Sequence, residues 1–273
     1  MMVQAGTQPF LRLSGVSKEF STRERSITKA LEDITFDIAA GELLTIVGPS
    51  GSGKSTLLRV IAGLLPPTAG KLTLRGKVVD RPSSEFGVVF QAPVLFPWRT
   101  VLSNVLMPAR ILRLDLAQAM QRAMELLETL GLRGTERKYP YELSGGMQQR
   151  VSIARALIHD PASLLMDEPF GALDAMTRES LNLELLRLWH TSRKTIIFIT
   201  HSIPEAVFLG TRVLVLTARP GRIAGVVSID LPHPRTIELL ASDRLGAYAA
   251  RVRSVMEGRH PGAAFSENHI RAS

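Results

Sequence analysis

The stretch Gly48-Pro49-Ser50-Gly51-Ser52-Gly53-Lys54-Ser55-Thr56 constrains this chain more than any other. It fits G-x-x-x-x-G-K-[ST] and sits between Leu43 to Val47, which reads as a buried strand, and Leu57 to Ala62, which reads as the opening of an apolar-faced helix. That context makes it a phosphate-binding loop. Gly48, Gly51 and Gly53 let the backbone turn tightly and aim its N–H groups at one anion, and the positive end of the following helix dipole points the same way. Lys54 reaches the β- and γ-phosphates as a mobile point charge, and the Ser55 hydroxyl is able to ligate Mg²⁺. A structural Gly/Ser-rich turn would have no need of the Lys-Ser pair.

The chain of 273 residues, 45% of them hydrophobic, is long enough to fill one large core or two small ones. No run of about 18 apolar residues occurs, and Met1 to Leu13 lacks the basic start and apolar stretch of a signal peptide. The expectation is a protein that does not cross a membrane by itself. With no cysteine, disulfides and thiolate metal sites are excluded, which fits a cytosolic setting. A formal charge of +8 invites an acidic partner, but Lys and Arg are scattered without a block, as on an ordinary solvated surface.

Met1 to Gln8 reads as a frayed start. Alternating apolar residues predict strands over Phe10 to Phe20 and Leu31 to Ile38, with Thr22 to Arg25 as an exposed turn between them. After the loop helix, Pro66 to Gly70 breaks the chain, a hairpin is expected around Gly76, and Phe86 to Phe90 forms a short strand ending at Gln91. Helical spacing over Thr100 to Leu112 and Leu116 to Leu130 predicts an inserted helical subdomain, about residues 95–160. Ser144 opens another helix, Leu164 to Met166 is a strand, Leu181 to Trp189 a helix, and Thr195 to Thr200 and Val213 to Thr217 are further strands. Alternating strands and helices imply an α/β fold with a mainly parallel sheet covered on both faces. The main domain is expected over residues 10–232 and a helical tail, Thr236 to Met256 with a polar end, within residues 233–273.

The strand before Asp167 and Glu168 delivers both carboxylates to a sheet edge beside the phosphate loop. Asp167 is expected to hold Mg²⁺ directly or through water, and Glu168 to act as the base that polarises attacking water. His201 follows its own strand, where a neutral imidazole can hydrogen-bond the γ-phosphate or the water. Gln91 ends a strand in the same way and its amide can touch Mg²⁺ or water. Singly, each of these two reads more readily as structural than as functional; jointly, at the ends of strands in the sheet that carries the phosphate loop, they point to one site. In Leu143-Ser144-Gly145-Gly146-Met147-Gln148-Gln149-Arg150, Ser144 caps a helix and Gly145 and Gly146 expose N–H groups, making a second anion-binding terminus. Should the two termini be unable to meet within one chain, a head-to-tail dimer with two nucleotides between the chains would use both.

Taken in order, Gly48 to Thr56, Gln91, Leu143 to Arg150, Leu164 to Glu168, Gly171-Ala172-Leu173-Asp174 and His201 resemble the ATP-binding subunit of an ABC transporter over about Leu11 to Leu231. The resemblance implies a P-loop NTPase fold of the ABC ATPase type, with an N-terminal antiparallel β subdomain and an inserted α-helical one. It further implies ATP and Mg²⁺ as cofactors, an ATP-sandwich dimer of two copies, and peripheral attachment at the cytoplasmic face of the cell membrane to integral-membrane permease subunits. Phe20 would stack on adenine, Gly171 to Asp174 would communicate across the dimer, and the helical region after Gln91 would dock on the permease. Phe20 stands where the family more often has Tyr, and Met147 replaces the usual Gln.

The stretches Phe90 to Val101, Ala218-Arg219-Pro220-Gly221-Arg222-Ile223 and Leu231 to Arg235 are similar to importers of the nitrate, sulfonate and taurine type, in which a solute-binding protein supplies the permease. Pro97-Trp98 reads equally as a packed corner or an interface anchor. A non-transport ABC ATPase acting on nucleic acid or ribosomes is the alternative. The single ATPase unit and the absence of a coiled-coil insertion or a cysteine zinc cluster argue against it, so no nucleic-acid partner is expected. A metabolic kinase would have no use for Ser144-Gly145-Gly146.

Overall fold

A computed structural model describes residues 8–21 and 27–259. The expected turn at Thr22 to Arg25, the start before Gln8 and the polar end beyond residue 259 lie outside the described residues. Two sheets organise the chain. The first is antiparallel, in the order β2-β1-β4-β5, built from β1 (Leu11–Ser21), β2 (Ile27–Ile38), β4 (Ala69–Leu74) and β5 (Lys77–Val78).

The second has six strands in the order β10-β9-β3-β8-β7-β6: β3 (Leu43–Val47), β6 (Phe86–Val89), β7 (Ser163–Asp167), β8 (Thr195–Ile199), β9 (Arg212–Leu216) and β10 (Ile223–Ser228). All neighbours are parallel except the edge pair β9 and β10. The continuous apolar runs of β3, β7 and β8 are buried on both faces, which is what a parallel sheet between two layers demands. Their side chains divide by alternation. Leu43 and Val47 join one hydrophobic cluster with Met166 and Phe198; Leu44 and Ile46 join the other with Leu165 and Ile197. Each such fully buried aliphatic side chain stabilises the fold by about 1.5–3 kcal/mol.

The second cluster lies between the six-stranded sheet, the antiparallel sheet and helix α1 (Lys54–Ile61). The first lies under α2 (Val101–Val105), α3 (Met107–Ile111), α4 (Leu116–Thr129), α5 (Gly145–Leu157), α6 (Ala175–Ser192), α7 (Ile203–Leu209) and α8 (Asp243–Met256). The expected single helix over Thr100 to Leu112 is two helices divided at Leu106, because Pro108 enters the first turn of α3 and has no N–H to continue the earlier ladder. Strand pairing begins earlier than expected at β4, where Ala69 and Gly70 already belong to the strand. The tail is a 3₁₀ turn, Ile237–Ala241, followed by α8, which Ser242 caps by accepting from Leu245 N at 3.3 Å. Among the described residues no helix is long and apolar enough to cross a membrane.

Because β3, β6, β7 and β8 run in one direction, their C-terminal ends share one edge of the sheet. That edge collects the loop after β3, Gln91 after β6, Asp167 at the end of β7 and His201 after β8.

Candidate functional site at the sheet edge

The loop between β3 and α1 is shaped by what surrounds it. Gly53 has φ +84°, and a Cβ there would lie 2.6 Å from Ala30 O, so any side chain would be both strained and in collision. At Gly48 a Cβ would come within 2.8 Å of Ser52 Oγ and 2.9 Å of Leu216 O. Pro49, Ser50 and Gly51 form the exposed rim, Ser52 is buried below them, and Ser55 and Thr56 are half-buried in the first turn of α1. Ser52 Oγ has no partner among the described residues.

Lys54 is only 7% exposed and donates to Gly48 O at 2.9 Å and Pro49 O at 3.1 Å. Burial holds its ammonium below the usual lysine range, and the charges of Glu168 and Asp167 oppose that shift. Ser55 donates from Oγ to Asp167 Oδ1 at 2.9 Å. Asp167 is 8% exposed, and burial raises its carboxyl above the usual range despite the Ser55 hydrogen bond; the neighbouring Glu168 charge pushes the same way. A polar cradle with a buried lysine and an anion-destabilised carboxylate suits a polyphosphate with a divalent cation, since each would relieve one of these two charges. The oxygens of Ser55 and Asp167 are hard donors of the kind Mg²⁺ takes. Among the described residues no three His, Cys, Asp or Glu side chains cluster around a potential metal position.

Glu168 has φ +43° and is held by a backbone hydrogen bond from its N–H to Ile199 O at 3.0 Å. That turn presents its side chain to His201, with Oε2 3.0 Å from Nδ1. Gln91 closes the group: a Cβ at Gly171 would lie 3.7 Å from both Gln91 Nε2 and Glu168 Oε2. The strand end before Gln91 is tied to α5 by Gln149, whose Nε2 donates to Phe90 O at 3.2 Å. Lys54, Ser55, Asp167, Glu168, His201 and Gln91 therefore meet at one sheet edge.

Two other expected site elements lie elsewhere in the chain. Phe20 is at the end of β1, 41% exposed, with Lys18 Nζ 5.4 Å from its ring centroid. Ser144 caps α5, its Oγ accepting from Met147 N at 3.3 Å. The side-chain neighbours of Gly145 and Gly146 are Leu173 and Thr177, and a Cβ at Gly146 would come within 2.7 Å of the Thr177 methyl. Thr177 N in turn donates to the α6 cap Asp174 at 3.0 Å, which joins this segment to Gly171-Ala172-Leu173-Asp174.

One residue beside the loop was not anticipated as a site residue. Arg219, in the turn between β9 and β10, lays its guanidinium over Gly51, where a Cβ would be 3.0 Å from Nε. The turn is fixed by Gly221, which donates to Ala30 O at 3.0 Å and accepts from Glu32 N at 2.9 Å. The Ala-Arg-Pro-Gly-Arg-Ile string was the available signal, but only the fold brings it to the loop.

A strand, a glycine loop and a helix N-terminus, with two carboxylates at the end of β7, which is separated from β3 by β8 in the same parallel sheet, define a P-loop nucleotide-binding fold. The model for the ABC transporter family matches residues 31–171. The chain is 46% identical over 224 residues to the aliphatic sulfonates import ATP-binding protein of Bacillus cereus, covering 82% of this chain and 88% of that one. It is 48% identical over 204 residues to the taurine import ATP-binding protein of Pelagibacter ubique, covering 75% and 77%. Among solved structures it resembles a dimeric ATP-binding cassette in a post-hydrolysis state bound to ADP and Pi, with a TM-score of 0.72, 33% identity, and coverage of 81% of this chain and 100% of that one. The chain belongs to the ABC transporter family.

Proposed function

We propose that this chain hydrolyses ATP at the sheet edge and thereby energises import of a small solute through separate integral-membrane permease subunits. The observation that carries the reading is the adjacency of two pairs, Ser55 with Asp167 at 2.9 Å and Glu168 with His201 at 3.0 Å, beside a glycine loop that cradles anions. In this reading the backbone N–H groups of Gly48 to Thr56 hold the phosphates, and Lys54 leaves the loop carbonyls for the β- and γ-phosphate oxygens. Ser55, Asp167 and Gln91 would hold Mg²⁺, which when bound supplies positive charge against that developing on the phosphates. Glu168 accepts a proton from the attacking water, and His201 orients that carboxylate through Nδ1 while its other nitrogen faces the γ-phosphate. Phe20 stacks on the adenine ring.

Ser144, Gly145 and Gly146 have Leu173 and Thr177 as neighbours within the chain. Their N–H groups are assigned to the nucleotide of a second copy, in an ATP-sandwich homodimer. The dimeric form of the solved relative supports this arrangement. The solute is assigned to the sulfonate, taurine and nitrate class, on the names of the relatives and the Phe90 to Val101 and Ala218 to Ile223 stretches. The assembly sits at the cytoplasmic face of the membrane, with the domain over residues 10–232 carrying the nucleotide and a solute-binding protein acting on the permease. Relatives named for import weigh against the nucleic-acid alternative.

The test is co-purification of tagged Glu168→Gln protein from gently solubilised membranes with ATP present. A permease in the eluate is expected. An eluate holding only soluble protein, RNA or DNA would replace the import reading with the nucleic-acid one.

A further inference from the structure

Glu205 lies in the first turn of α7 and is 8% exposed. Its Oε2 accepts from Thr200 Oγ1, and its Oε1 accepts from Asn182 Nδ2 of α6 at 3.2 Å. Both oxygens are met by neutral donors. Taking a carboxylate out of water on such terms is costly, and an apolar residue of similar size would pack at an interior position without that cost.

The Thr200 hydroxyl has one proton, and giving it to Glu205 leaves the oxygen to accept elsewhere. It accepts from Ser202 N at 3.0 Å. Ser202 in turn caps α7, its Oγ accepting from Glu205 N at 3.4 Å. The Thr200 backbone is tied on its other side to β3, its N–H donating to Ile46 O at 3.2 Å. Thr200 and Ser202 are therefore both held, and the residue between them is His201. Its side chain is 59% exposed, with Nδ1 3.0 Å from Glu168 Oε2. An exposed imidazole has few walls of its own, so its place is set by its backbone turn, and the hydrogen bonds that shape this turn end on Glu205.

We propose that Glu205 is a positioning residue for hydrolysis: through the Thr200 hydroxyl it fixes the turn that carries His201, and His201 fixes Glu168. The proposal rests on the assignment of His201 as the group that orients Glu168. Asn182 extends the link to α6, the helix whose first turn holds Thr177 against Gly146. What Glu205 supplies is an acceptor of fixed direction. Glutamine would serve as well, since its amide oxygen accepts from Thr200 while its nitrogen donates to Asn182 Oδ1, which has no partner among the described residues, once the Asn182 amide turns over.

The test is single-turnover ATP hydrolysis by the full chain in excess over ATP, which follows slow variants, with ATP affinity measured separately. Glu205→Ala and Thr200→Val should each lower the hydrolysis rate constant by about tenfold to a hundredfold, the scale of a catalytic group displaced by a remote change. ATP affinity should stay within about twofold, because the phosphate loop is untouched. Glu205→Gln should keep the parent rate within about twofold. On a His201→Ala background none of these substitutions should lower the rate further, whereas a merely structural role would leave the losses independent. The pair Thr200→Val with Glu205→Leu leaves neither partner unsatisfied, and decides the matter if a single variant does not fold. An undiminished rate in folded Glu205→Ala, Thr200→Val or the paired variant would overturn the proposal. So would losses that multiply with that of His201→Ala, or a loss in Glu205→Gln as large as in Glu205→Ala. A parent-like rate in His201→Ala would overturn the assignment of His201 and this proposal with it; a slowed His201→Ala beside a parent-like Glu205→Ala would overturn this proposal alone.

Discussion

Among the described residues two Lys or Arg side chains are buried, Lys54 and Arg235, and they are compensated in opposite ways. Lys54 sits within reach of two carboxylates, and the charges of Glu168 and Asp167 partly offset its desolvation. Arg235 has three backbone carbonyls on one nitrogen and no carboxylate partner among the described residues. Each arrangement is costly in isolation, because a buried charge needs more than neutral dipoles to replace its water. The difference separates a region open to ligands from one closed on its own backbone. Around Lys54 both signs of charge stand close together and unneutralised, which suits a phosphate chain and a cation arriving as one. Around Arg235 one sign is in excess, and the carbonyls of Val207, Phe208 and Gly210 meet it by tying residue 235 to the end of α7.

The largest expected effects lie at the mixed-charge end. Glu168→Gln keeps the shape of the site and its contact with His201 but removes the proton acceptor, so ATP turnover should fall by about 10²–10⁴-fold while ATP binding persists. Lys54→Ala removes the charge that meets the phosphates and should weaken nucleotide binding itself. Steady-state hydrolysis and equilibrium binding of a fluorescent nucleotide separate the two losses. Normal turnover in the Glu168 variant would remove that residue from its proposed role and break the contrast between the two regions.

A second consequence follows from Asp167. Its carboxyl is raised by burial above the unfolded value of 3.8, so the folded chain binds more protons than the unfolded one just above that pH. The folded state is therefore progressively penalised as pH rises through this window, and at neutral pH without a bound cation the penalty is complete. Asp167→Asn should raise the Tm of the nucleotide-free protein at neutral pH, with the gain shrinking as pH falls toward 3.8, while Mg²⁺-dependent turnover is lost. An unchanged or lowered Tm at neutral pH would show that the carboxylate is already well compensated.

Much of this mixed-charge end was legible in the sequence because its parts are local. A doubly buried strand announces itself as an unbroken apolar run, and the residue that ends it is placed at the sheet edge by parallel topology, so Asp167, Glu168 and His201 followed from their strands. What local patterns could not give were contacts between distant segments. The Arg219 guanidinium over Gly51 depends on the β9–β10 turn docking against Ala30. The role of Arg235 depends on where α7 ends, and α7 itself, seven residues long, is too short to announce a helical period. Strand β10 escaped notice because Gly225 interrupts its run and only its pairing with β9 makes it a strand. The division of Thr100 to Leu112 was written in Pro108, but the apolar spacing on either side masks it.

The smallest effect sharpens the other side of the comparison. His233 packs against Trp189 and His190, with ring centroids 5.2 Å and 4.7 Å away, and neither of its ring nitrogens has a partner among the described residues. Burial lowers its imidazole from 6.5 to about 4, and the charges of Arg235 and His190 add to the shift. Between about 4 and 6.5 the unfolded chain binds more protons than the folded one, so this group contributes stability that is lost as pH falls through that window. His233→Phe keeps an aromatic ring against Trp189 and cannot be protonated, so the acid side of its Tm profile should be shallower than that of the parent chain while the two agree near neutrality. Parallel profiles across the window would mean that the imidazole titrates alike in the folded and unfolded chain, and that the excess of positive charge around Arg235 is already dissipated by solvent.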